Sequence, residues 1–79
     1  MEPSQIQALL ESAFPECEIS VEGGDGKFMV HAVGSVFDGL NAVKRQQAVY
    51  AVLNERISSG AIHAVSMRLL TPGEQDAAS

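Results

Sequence analysis

The sequence predicts an α+β domain in the order helix, strand, strand, helix, helix, strand, with a three-stranded mixed sheet and helices on one face. Three observations carry that expectation. Apolar residues near the N-terminus recur at helical spacing, two alternating segments flank a glycine-rich turn, and a helical stretch ending at Gly60 leads into a third alternating segment. The first two strands can pair as a hairpin, while a helical crossover lets the second and third pair in parallel.

Ile6, Leu9, Leu10, Ala13 and Phe14 mark the apolar stripe of the first helix. Pro3 suits its opening turn, Ser4 with Gln7 fits a capping box, and Pro15 ends it. From Glu16 to Glu22, Cys17, Ile19 and Val21 alternate with acidic or hydroxyl residues, which describes a half-buried strand. Gly23-Gly24-Asp25-Gly26 supplies the positive φ angles of a tight hairpin. Lys27 to Val33 returns, with Phe28, Val30 and Ala32 on the core side and Met29, His31 and Val33 opposite.

A turn at Asp38-Gly39 precedes Asn41, which can cap a helix with Val43, Tyr50, Leu53 and Ile57 facing inward. The residues before Gly60 are expected to form two short helices or one bent one, with Gly60 as the stop. His63 to Leu70 is the last strand, with Val65, Met67 and Leu69 as its apolar face. Residues 1–72 form one domain in this reading, and 73–79 a disordered tail.

Seventy-nine residues hold one modest core. Ten acids against five bases give a formal net charge of −5, which opposes non-specific attraction to DNA or anionic membranes. Cys17, the single cysteine, cannot close an internal disulfide and suits a reducing compartment. The acidic N-terminus lacks signal-peptide character and no apolar run is long enough to span a membrane, so a cytoplasmic protein is expected. The chain shows no HExxH, nucleophile elbow, phosphate-binding loop or paired cysteines, so an enzyme is not expected.

Several residues invite a functional reading beside a plainer one. Lys44-Arg45-Gln46-Gln47 could hold phosphates or reach base edges, or could form a solvated helix face. Gly23 to Gly26 matches the GxxG of nucleic-acid clamps, but its place between two strands favours a hairpin. Cys17 could be a core thiol or an exposed one. His31 and His63 could each be structural strand histidines or ligands.

The block from Val36 to Pro72, VFDGLNAVKRQQAVYAVLNERISSGAIHAVSMRLLTP, resembles the BolA family, and VKRQQAVY with GAIHAVSM looks most like its short bacterial IbaG/YrbA-type branch. The resemblance implies a class II KH-like fold and a small adaptor without catalytic machinery; alone, the chain is expected to be a monomer or weak homodimer. It also implies that the histidine of the IHA segment, here His63, ligates a 2Fe-2S cluster shared with a monothiol glutaredoxin and glutathione.

Relatives that form such clusters typically carry a second Cys or His between the first two strands, where this chain has Gly24, Asp25, Gly26 and Lys27. The open alternatives are that Cys17 or His31 substitutes, that the cluster is held weakly, or that the chain docks without ligating iron. The family is also described as DNA-binding regulators, which gives the Lys44 to Gln47 helix an alternative role in nucleic-acid binding.

Overall fold

The computed structural model describes residues 1–78; Ser79, the end of the expected tail, lies outside them. Helix α1 (Pro3–Ala13) begins with Pro3 in its first turn. The Glu2 N–H donates to Gln5 Oε1 at 2.7 Å, so the capping pair is Glu2 and Gln5 rather than Ser4 and Gln7. Pro15 disfavours helical geometry at Phe14. The helix accordingly closes with the Phe14 N–H on the Leu10 carbonyl.

Strand β1 spans Glu18–Gly24 and β2 Lys27–Val33, antiparallel from Glu18↔Val33 to Gly24↔Lys27. The turn is thus the two residues Asp25 (φ 55°) and Gly26 (φ 80°), both left-handed, the Asp-Gly pairing that matches strand twist in tight hairpins. Gly23 and Gly24 belong to the strand. Cys17 falls just before β1 instead of within it.

A 3₁₀ turn at Ser35–Phe37 follows, and Gly39 (φ 78°) separates it from helix α2 (Ala42–Ser58). Where the twenty or so residues before Gly60 are expected to hold two short helices or one bent one, they form a single continuous helix, and the 3₁₀ turn lies in the connection before it. No glycine or proline interrupts residues 42–58, and Asn41 Oδ1 accepts the Lys44 N–H at 2.9 Å to cap them. Gly60 (φ 84°) terminates the helix as the sequence predicts.

Strand β3 (Ala64–Leu70) lies parallel to β2 from Lys27↔Ala64 to Val33↔Leu70, giving the order β1-β2-β3. Ile6 and Leu10 of α1 and Val49 and Leu53 of α2 pack on Ile19, Val21, Phe28, Val30 and Ala32 of the sheet. Phe37 is fully buried and tilts against Phe14 with ring centroids 6.3 Å apart, so the FDG segment plugs the core.

Two expectations fail instructively. Val43 is 61% exposed, because the sheet-facing stripe of α2 runs through 45, 49, 53 and 57 at four-residue intervals and puts Arg45 inward instead. Residues expected as a tail form a further helix, α3 (Pro72–Ala78). Thr71 and Glu74 make its capping box: the Thr71 N–H donates to Glu74 Oε1 at 2.8 Å and the Glu74 N–H to Thr71 Oγ1 at 3.2 Å.

Candidate functional site

His63 is the exposed residue immediately before β3. Its placement starts with Ile62, which is 2% exposed and whose N–H donates to the Arg56 carbonyl at 3.0 Å, fixing the connection from α2. The next two amides, of His63 and Ala64, both donate to the Gly26 carbonyl, at 2.7 and 3.0 Å. The imidazole rests over Gly26 so closely that a Cβ there would overlap the ring. Gly26 therefore serves twice, taking φ of 80° in the turn and leaving room for the histidine. Beside the ring, Tyr50, Ile57, Ala64 and Val65 help line an open cleft of about 300 Å³.

The hairpin turn under His63 contributes no thiol or second imidazole. Among the described residues no group of three or more His, Cys, Asp or Glu side chains is placed to hold a metal ion. A metal group on His63 would therefore take its other donors from outside this chain. That fits a shared group and does not fit one held by this chain alone.

The structure separates the proposed substitute ligands from His63. His31 pairs with Ser20 and Arg68, five residues along β2 from Gly26, or about 16 Å at the usual strand rise. Its Nε2 is buried without a hydrogen-bond partner. Cys17 lies at the far end of the sheet, its Sγ packed where a Cβ on Gly34 would fall, about 26 Å along the strand from Gly26. Burial, reinforced by the Glu16 carboxylate, pushes the Cys17 thiol above its ordinary pKa and keeps it protonated. Neither residue can complete a site with His63 in one copy of the chain.

The basic helix also resolves differently from its sequence. Lys44, Gln46 and Gln47 are exposed. Arg45 turns toward the sheet, its side chain 14% exposed. Its Nε donates to the Leu40 carbonyl at 2.9 Å, and its Nη1 to the Leu69 carbonyl at 3.0 Å and to Glu74 Oε1 at 2.6 Å. The adjacent cationic pair is thus divided, leaving Lys44 as the exposed cation of that segment. The GxxG segment is a hairpin, as its flanking alternation predicts.

Glu74 is a residue that sequence reasoning passed over. The Arg45 hydrogen bond, followed by that of the Thr71 N–H, lowers its carboxyl to about 2. The signal was present, because Thr71-Pro72-Gly73-Glu74 has the S/T-x-x-E form with Pro at the first helical position.

The profile of BolA-like proteins matches residues 1–74. The chain belongs to the BolA-like family. It is 46% identical over 74 residues to the acid stress protein IbaG of Escherichia coli K12, covering 94% of this chain and 88% of that one. Among solved structures, the BolA homologue of Coxiella burnetii superposes with a TM-score of 0.83 at 28% identity, covering 96% and 97% of the two chains. The BolA domain of SufE1 from Arabidopsis thaliana gives 0.82 at 30% identity, covering 91% and 93%. The α+β architecture with a three-stranded mixed sheet is the BolA fold, and the short bacterial branch is the one to which IbaG belongs. No helix among the described residues is long and apolar enough to cross a membrane.

Proposed function

We propose that this BolA-like chain is a small cytoplasmic adaptor in iron–sulfur cluster and iron homeostasis, pairing with a monothiol glutaredoxin around a shared 2Fe-2S cluster. His63 is its ligand, and the glutaredoxin with glutathione supplies the thiolates. The observation that carries this reading is the presentation of His63: exposed, fixed through its own backbone on the Gly26 carbonyl, and bordered by an open cleft. A site with one donor from this chain suits a cluster completed by a partner.

The cluster supplies redox and iron-transfer chemistry, and exchanging one thiolate for neutral imidazole reduces its negative charge and raises its potential. What this chain contributes is position. Two amide hydrogen bonds fix the backbone that carries the ring, so little ordering is left for the moment of docking.

Co-expression with a monothiol glutaredoxin and anaerobic purification should give a coloured heterodimer whose visible circular dichroism differs from that of the glutaredoxin alone. Colourless heterodimers, or spectra unaltered by this chain, would reject the shared cluster.

A further inference from the structure

Arg45 is oriented from beneath by two backbone carbonyls, of Leu40 and Leu69, independently of any carboxylate. Around it opens a cleft of about 490 Å³, with Leu40, Met67 and Leu69 as apolar walls and Asn41, Gln46 and Glu74 as polar ones. This is far more space than one carboxylate occupies. The cleft runs against β3, which among the described residues is an edge strand paired with β2.

The group filling its charged end is the chain's own Glu74, which is half-exposed there. Nη1 and Oε1 make the contact as a single pair of atoms, whereas a guanidinium can grip a carboxylate through two. The Glu74 side chain is 47% exposed, and of Pro72 to Ala77 only Gln75 is even half-buried. None of the side chains from Pro72 to Ala77 is a buried apolar anchor, and the Arg45 contact and the Thr71 capping box are among the interactions that hold α3.

We propose that the Arg45 cleft is a docking site for an acidic polypeptide segment of a partner protein, and that Glu74 occupies it in the resting chain. The occupant already present defines the chemistry: a glutamate carried on a short peptide, its carboxylate on Arg45 and its backbone beside β3. A partner segment that engages both terminal guanidinium nitrogens displaces Glu74, which dissolves the capping box at the start of α3. This site is separate from His63 and does not depend on the iron–sulfur reading.

The test uses the full chain and a fluorescein-labelled peptide of sequence TPGEQDAAS, followed by anisotropy. A tethered competitor acts at an effective concentration in the millimolar range, so Glu74→Gln should raise the apparent affinity for the peptide about tenfold over the wild type. The same peptide with Gln in place of its Glu should lose that gain, and Arg45→Lys, which retains charge without the fork, should weaken binding. Free glutamate at matching concentration should not compete. Equal binding by wild type and Glu74→Gln, or by both peptides, would overturn the proposal. Competition by free glutamate as strong as that of unlabelled peptide would also overturn it, by showing a small-carboxylate site. The peptide comparison keeps the test decisive even if Arg45→Lys fails to fold.

Discussion

Gly26 lies directly beneath the His63 imidazole, and its carbonyl accepts the His63 N–H at 2.7 Å. The hairpin turn and the candidate ligand are therefore one structural unit, although they are far apart in sequence. Gly26→Ala should disturb both at once. A side chain at φ of 80° costs about 1–2 kcal/mol on its own, and the new methyl must also push the ring aside. Urea denaturation should show at least that loss, and the glutaredoxin mixture should lose its cluster faster than with wild type. A variant of unchanged stability and cluster lifetime would show that the ring does not depend on the turn.

His63→Ala should separate function from folding. The side chain is exposed and outside the core, so unfolding free energy should stay within about 0.5 kcal/mol of wild type. Visible circular dichroism and cluster lifetime with a monothiol glutaredoxin should nevertheless change, while His31→Ala, about 16 Å away along β2, should leave them near the wild-type values. Indistinguishable behaviour of all three proteins would leave His63 a structural residue.

Cys17 should react slowly with a thiol reagent in the native protein and rapidly after denaturation. Burial and the neighbouring Glu16 both hold it in the unreactive thiol form, and its sulfur is packed on Gly34. Equal rates in native and unfolded protein would show that the strand end opens freely.

The sheet was legible because alternation is a local signal: Ile19 and Val21, then Phe28, Val30 and Ala32, face the core where period two puts them. Asp25-Gly26 was legible for the same reason, as a turn chemistry rather than a contact. The phase of α2 is not, because apolar periodicity favours Val43 for the inner face and nothing in hydropathy turns an arginine inward at 45. That choice becomes sensible only with the carbonyls of Leu40 and Leu69 and the carboxylate of Glu74 in place. Helix α3 was missed for a related reason. It buries no side chain among Pro72 to Ala77, so hydropathy is silent, and only the capping-box spacing of Thr71 and Glu74 announces it. His63 was singled out by resemblance, and spacing alone could not have placed it over Gly26.

The Arg45–Glu74 contact should make stability depend on acid in a defined direction. The Glu74 carboxyl sits at about 2 in the folded protein against an ordinary value of 4.5. Between those values the unfolded chain binds the extra proton and the folded chain does not, so stability rises with pH there. The Glu74 contribution is complete above about pH 4.5 and fades as pH falls toward 2. Because the side chain is 47% exposed, solvent screening keeps the effect modest and added salt should reduce it. Glu74→Gln carries no titratable group at this position, whereas every other carboxylate is common to both proteins. The stability gap between wild type and Glu74→Gln, measured by urea denaturation, should therefore be widest near neutrality and shrink as pH is lowered through this window. A gap that stays constant from neutral pH to pH 2 would mean that the charge on Glu74 does not hold α3 in place.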